Sequence, residues 1–281
     1  MFLKRYYFFL FFILADIPLS AMKWITEPEL AMEHSLQSGK LILVYFTATW
    51  CKPCKEFEAT LWQNDAVNRV QEHFINLKLD YDNYSIIASS FKVQYIPQLV
   101  VIDAFKNEII RFNINPDPSK MVELLLTFPT DLMALYSAYN AYQEDKKEFR
   151  SIESLAVQYQ TSAMKSEDKV RTHFLTLSDR YFHKALKLNT INEQQSQNIK
   201  IQLQMNALLK SNFNDIELEL LKIQEHKHLS EENRDYSDFV LCFYYIKTGV
   251  PKKAELRYNK LLNQSPNSPF IKSLKAVFED D

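Results

Sequence analysis

Leu41-Ile42-Leu43-Val44-Tyr45-Phe46-Thr47-Ala48-Thr49-Trp50-Cys51-Lys52-Pro53-Cys54-Lys55-Glu56-Phe57-Glu58 is the stretch on which the fold turns. Its first six residues are continuously apolar and of strand length, the pattern of a strand buried on both faces. Thr47 to Trp50 make a short turn, and Lys55 to Leu61 read as a helix. The two cysteines therefore sit where a buried strand passes into a helix N-terminus. Unpaired amide N–H groups there favour negative charge, and thiolate is the reactive form of cysteine. Lys52 and Lys55 add positive charge nearby. Cys51, at or just before the first turn, is expected to have a lowered pKa; motifs of this kind run from ~3.5 to ~7, against ~8.5 for a free thiol. Pro53, inside the first turn, removes no intrahelical hydrogen bond and presets φ.

The other readings of C-x-x-C are a zinc site and an inert structural disulfide. Zinc normally takes four ligands, and no second C-x-x-C or close Cys/His pair accompanies this one. His226 and His228 are two apart on a predicted helix or its frayed end, so they do not share a side. Redox chemistry, without metal or organic cofactor, is the expectation. The remaining cysteine, Cys242, lies among Phe239, Val240, Phe243 and Tyr244 and reads as a buried, inert thiol.

Outward from this motif, composition narrows the classes. The only glycines are Gly39 and Gly249, which excludes Gly-rich phosphate loops of the G-x-G-x-x-G or Walker type. A net charge of -2, with no long basic run, argues against a nucleic-acid partner. At 281 residues the chain has room for one large domain or two ordinary ones. At the start, Lys4 and Arg5 precede an apolar run from Tyr6 to Ala15, and small residues close the segment at Ala21. A run of about ten is too short to span a membrane and suits an export signal. The expectation is a signal over residues 1–21, cleavage after Ala21 despite Leu19 at the −3 position, no lipid attachment and no membrane span after processing. That places the mature protein in the periplasm or another extracytoplasmic space.

Trp50-Cys51-Lys52-Pro53-Cys54 resembles the active-site motif of the thioredoxin-like family, and Cys54-Lys55-Glu56-Phe57-Glu58 is similar to the exported C-terminal thioredoxin-like domain of thiol:disulfide interchange protein DsbD. Downstream, Ile75 to Leu79 reads as a strand, Asp80 to Asn83 as a loop and Ser85 to Phe91 as a short helix. Tyr95-Ile96-Pro97 then precedes an apolar strand, Gln98 to Ile102, and a last helix runs from Ser119 to Phe128. The resemblance implies an α/β fold, a central mixed sheet flanked by helices, over residues 22–128. It also implies a cis Pro97 facing a Cys51–Cys54 disulfide, with Cys51 the exposed attacking thiol and Cys54 the buried resolving one. Trp50, Lys52, Pro53 and Ile96 would form the rim on which a substrate peptide lies.

Two departures from the family pattern bear on mechanism. Thioredoxins place a buried Asp six residues before the first cysteine; here Tyr45 stands there, with a reference pKa of ~10. Lys78 occupies the place of the lysine that pairs with that acid. Glu58, one turn beyond Cys54, matches an acid of the DsbD-like relatives and is the candidate base; a solvated glutamate is the equal alternative. Lys-Pro between the cysteines points, by analogy, to a reductase or isomerase and away from a strong oxidant.

From Pro129 onward the pattern is helical. Leu132, Leu135, Tyr136, Tyr139 and Tyr142 recur at helical spacing behind Asp131, a suitable N-cap. Further helices are predicted near 152–164, 167–188, 193–210, 214–226, 233–247 and 252–264. Residues 129–281 thus form an all-helical domain. Asp238 to Pro266, with Tyr245, Gly249, Ala254, Tyr258 and Leu261, is similar to a tetratricopeptide repeat, whose stacked helix pairs would present a partner-binding face. The function expected is an exported thiol–disulfide oxidoreductase acting on protein thiols and disulfides of exported clients, with an upstream redox partner. The alternative is a helical-repeat scaffold whose thioredoxin-like part mainly docks partners.

Overall fold

The computed structural model describes residues 24–278; the segment 1–21, expected to be an export signal, lies outside them. The sheet has four strands in the order β2-β1-β3-β4: β1 (Ile42–Thr47), β2 (Ile75–Asp80), β3 (Gln98–Ile102) and β4 (Glu108–Phe112). β1 is parallel to β2 and antiparallel to β3, and β3 is antiparallel to β4. Ile25 adds one bridge beyond β2, opposite Leu77. Every residue of β1 is buried. Ile42, Val44 and Phe46 face a cluster with Leu77, Leu79, Val100 and Ile102, while Leu43 and Tyr45 face another with Leu99 and Val101. The period-two alternation of a strand thus serves two apolar layers, which is why the run shows no polar interruptions.

Helices α1 (Pro28–Ser38) and α4 (Ser85–Ser90) belong to the first layer, with Ala31 and Ala88 buried in it. On the second lie α2 (Lys52–Ala59), α3 (Asp65–Gln71) and α5 (Pro118–Leu126). α1, α3 and β4 are additions to the elements expected from sequence. α1 buries only Pro28, Ala31 and Ser35, so no run of large apolar residues announces it.

Eight helices follow: α6 (Met133–Glu144), α7 (Phe149–Met164), α8 (Asp168–Leu186), α9 (Glu193–Leu209), α10 (Ile216–Gln224), α11 (Glu231–Lys247), α12 (Pro251–Gln264) and α13 (Pro269–Phe278). Asp131 Oδ1 accepts the Met133 N–H at 2.9 Å, capping α6 from one residue before its N-cap position. α13 was not anticipated. Pro266 and Pro269 read as a break, yet Pro269 opens the helix, where a missing N–H costs nothing.

The second layer of the sheet and helices α6 to α9 share one apolar cluster that runs as far as Ile199. α6 packs on α1, and α8 on β4. Gly39 closes α1 at φ 70°, and a Cβ there would come within 2.8 Å of Met133 Cγ, so only glycine permits this approach. The Tyr136 hydroxyl donates to the Lys40 carbonyl at 2.9 Å. Asp103, buried in the β3–β4 turn, accepts from the Tyr159 hydroxyl of α7, the Asn107 amide and two backbone N–H groups, all at 2.9 Å. Burial pushes its carboxyl above the usual carboxylate range.

A second cluster begins at Ile201 and joins α9 to α13. α9 packs on α11 and α11 on α13, with α10 and α12 between them in sequence. These three alternate helices begin 38 residues apart, at Glu193, Glu231 and Pro269. Asp238, almost wholly buried, ties the unit together by pairing with Arg257 at 2.7 Å and Lys260 at 2.8 Å and accepting from Gln224 at 2.7 Å.

Candidate redox site

Cys51 is the N-cap of α2 and is disulfide-bonded to Cys54. Its φ of -76° and ψ of 101° keep it extended, and its Sγ accepts the Cys54 N–H at 3.2 Å. The sulfur therefore receives one of the orphan N–H groups of the helix start, where the macrodipole also favours negative charge. Lys52 and Pro53 occupy the exposed first turn with Lys55. Cys54 is wholly buried, and Cys51 retains only 3% exposure. The expectation of an exposed first cysteine is met only in order. In the disulfide form Cys51 folds back onto the helix start, and it is the neighbouring Trp50 that stands out, 64% exposed. The Trp50 indole donates to Asp82 Oδ2 at 2.8 Å. Asp82 lies in the loop after β2, and nothing local in the sequence signals its reach across to Trp50.

The Ile96–Pro97 bond is cis. Ile96 packs on the cluster that contains both cysteines, and Pro97 is half-buried immediately before β3. Beside them Tyr95 is exposed and donates to Asn113 Oδ1 at 2.6 Å.

Behind the disulfide, Tyr45 fills the position of the usual acid. Its hydroxyl donates to the Cys54 carbonyl at 3.3 Å, and its ring packs edge-on against Trp62 at 5.5 Å. Burial pushes the phenol up to about 12, so it stays protonated at neutral pH and is no base. Lys78, in register with Tyr45 across β1 and β2, reaches Glu58 Oε1 at 2.8 Å. The lysine thus finds its acid on α2, not on β1. Thr47 Oγ1 donates to the same oxygen at 3.4 Å. A cleft of about 380 Å³, lined in part by Thr47, Lys55, Glu58, Lys78 and Asp80, opens this pair to solvent beside α2.

Residues 23–104 match the family model for thioredoxin-like proteins. A thioredoxin of Echinococcus granulosus is 38% identical over 77 residues, 27% of this chain and 66% of that protein. Thioredoxin H3 of Arabidopsis thaliana is 37% identical over 84 residues, 26% of this chain and 69% of that protein. The TPR repeat-containing thioredoxin TDX of Arabidopsis thaliana is 31% identical over 77 residues, 27% of this chain and 20% of that protein. The chain thus spans about two thirds of the first two relatives and one fifth of the third. With a mixed sheet, a C-x-x-C pair capping the helix after its first strand and a cis proline before β3, this chain belongs to the thioredoxin-like family.

Proposed function

We propose that this chain is an exported thiol–disulfide oxidoreductase that exchanges electrons with disulfides of client proteins through Cys51 and Cys54. The observation that carries the reading is the Cys51–Cys54 disulfide at the N-terminus of α2, with Cys51 Sγ held on a helix N–H. In the reducing direction the Cys51 thiolate attacks one sulfur of a client disulfide. That bond breaks, the departing sulfur takes a proton, and a mixed disulfide joins the client to Cys51. Cys54, once deprotonated, attacks the Cys51 sulfur; the Cys51–Cys54 bond forms and the client leaves as a dithiol. Two electrons and two protons pass to the client, and the reverse sequence oxidises it. Glu58, one helical turn beyond Cys54 and held by Lys78 and Thr47, is the acceptor assigned to the Cys54 proton. The Lys-Pro pair between the cysteines favours reductase or isomerase work.

The helical part, from residue 129, serves as the client- or partner-binding domain. The 38-residue spacing of α9, α11 and α13 and their mutual packing support a helical repeat. Export rests on the basic, apolar and small-residue segments before Met22; among the described residues no helix is long and apolar enough to cross a membrane. Reduction of insulin by the mature protein, compared with Cys51→Ser, tests the activity. Activity retained by Cys51→Ser would leave the scaffold reading, in which the thioredoxin-like part only docks partners. Trapping mixed disulfides with Cys54→Ala in periplasmic and cytoplasmic fractions tests both location and client class.

A further inference from the structure

Glu232, Tyr236, Phe239, Phe243 and Lys247 follow one another by three or four residues and so share one face of α11. Tyr236 is buried, but Phe239 and Phe243 are only half-buried. Their rings form a ladder: Tyr236 to Phe239 at 6.3 Å and Phe239 to Phe243 at 6.5 Å, with nearly parallel planes. Phe270 from α13 joins it, 5.1 Å from Tyr236 and 5.0 Å from Phe239. Lys247 ends the ladder with its ammonium 5.5 Å from the Phe243 ring centre.

Both ends of this stripe open into clefts of opposite charge. At the N-terminal end of α11, a cleft of about 620 Å³ is bordered by Glu231, Glu232, Asp235 and Phe270. None of these three carboxylates has a basic partner among the described residues. Glu153 on α7 registers the same field: burial, and then the charges of Glu148 and Glu232, push its carboxyl up against the pull of Arg150. At the other end a cleft of about 230 Å³ is lined by Met164, Arg171, Phe243 and Lys247, and among the described residues no carboxylate borders it. Arg171 spends its guanidinium on the Ser166 carbonyl and has no acid partner among the described residues.

We propose that this face of α11 docks an extended peptide segment of the client, cationic end in the Glu231–Glu232–Asp235 cleft, apolar side chains on Phe239, Phe243 and Phe270, and anionic end at Arg171 and Lys247. The span from Glu232 to Lys247 is roughly 22 Å of helix axis, which an extended strand of about seven residues covers. The half-buried rings supply contact area without specificity, and the opposed charges set direction and reject uniformly charged segments. The inference rests on the helical part being the client-binding region, and it names the client chemistry.

Binding of the full chain to a fluorescent heptapeptide with blocked termini, Lys-Ser-Phe-Ser-Leu-Ser-Glu, tests it. Alternate residues of an extended peptide fall on one side, so Lys, Phe, Leu and Glu would face the stripe together. This probe should bind about tenfold more tightly than versions with Lys at both ends or Glu at both ends. Lys247→Glu, an exposed change, should weaken the dipolar probe about tenfold and shift preference to the two-lysine probe. Equal binding of all three probes, or an unchanged preference in Lys247→Glu, overturns the proposal. A dimer of the free chain that Lys247→Glu dissociates would also overturn it, assigning the face to a second copy. Reduction of a small-molecule disulfide should be the same in Lys247→Glu and the parent. Its absence from both would sink the redox reading while leaving peptide binding to stand or fall by itself.

Discussion

The first turn of α2 and the middle of α11 each hold a buried cysteine on a helix, and the two are placed for opposite chemistry. At the start of α2 the backbone still has N–H groups to offer, and Cys51 Sγ takes one from Cys54. In α11 every nearby N–H is spent inside the helix. Cys242 donates instead to the Ala254 carbonyl at 3.3 Å, and burial, reinforced by the charge of Asp238, pushes its thiol up to about 12. Position on the helix therefore separates a sulfur that can exchange from one that only packs; burial alone does not, because Cys51, Cys54 and Cys242 are all buried.

The sharpest way to break this contrast is to remove each sulfur in turn. Cys51→Ser should lower the rate of insulin reduction by on the order of 10³-fold or more, since the remaining thiols, Cys54 and Cys242, are both wholly buried. Cys242→Ala should leave that rate unchanged. A comparable loss in both variants would mean that the two regions are one catalytic unit.

Next in size is the proton of Cys54. General-base help is typically worth ~10²–10⁴ in rate, so Glu58→Gln should slow resolution of the mixed disulfide about 10²-fold while leaving the first attack nearly unchanged. Lys78→Met should reproduce part of the effect by freeing the carboxylate it holds. Rapid-mixing kinetics with a chromophoric disulfide resolve the two steps. Equal rates for Glu58→Gln and the parent across pH 6–8 would show the carboxylate to be a surface ion-pair partner only, and the thiol to lose its proton directly to water.

How far these sites were legible follows from how local their causes are. β1 could be read because burial on both faces leaves an uninterrupted apolar run, and the cysteines because strand, turn and helix follow without a break in sequence. Pro97 was legible through the family resemblance, which assigns a cis proline to the position before β3. The partner of Lys78 was not, since it depends on the β1–β2 register that sets Lys78 opposite Tyr45 and on the orientation of α2 across the sheet. In the helical half, periodicity marked most helices, yet the 38-residue spacing emerges only once α13 is known to exist. The charged ends of the α11 stripe are likewise assembled from α7, α8, α12 and α13, which no local pattern joins.

The seam between the two halves supplies a smaller effect. Tyr159→Phe removes a buried donor from buried Asp103 and should cost about 1–3 kcal/mol in chemical denaturation. The sign of its pH dependence follows from the raised carboxyl. A group whose folded pKa is raised contributes stability fully below its unfolded value, ~3.9, and loses it as pH rises through the folded value. Tyr159 supports the ionised form, so its loss should hurt more above the folded value than below it. A cost independent of pH would mean that Asp103 keeps one protonation state throughout, and that the seam is held by Phe105 on Tyr139 and by the shared apolar core.

The smallest expected signal is the silence of Cys242. With its thiol near 12, the thiolate fraction at pH 8 is roughly three orders of magnitude below that of an unperturbed cysteine. Native alkylation of the reduced protein at pH 8 should therefore label Cys51 first and leave Cys242 unlabelled; labelling of Cys54 before Cys51 would reverse their roles. A raised thiol contributes stability below the unfolded value, ~8.5, and loses it as pH climbs toward the folded one. Cys242 should become reactive only where alkali begins to loosen α11 and α12. If it reacts at pH 8 as fast as Cys51, the α11–α12 pair opens on the time scale of the reagent. The contrast between the two helix positions would then be one of access and not of chemistry, because a thiol that is exposed by opening regains the pKa of a free cysteine.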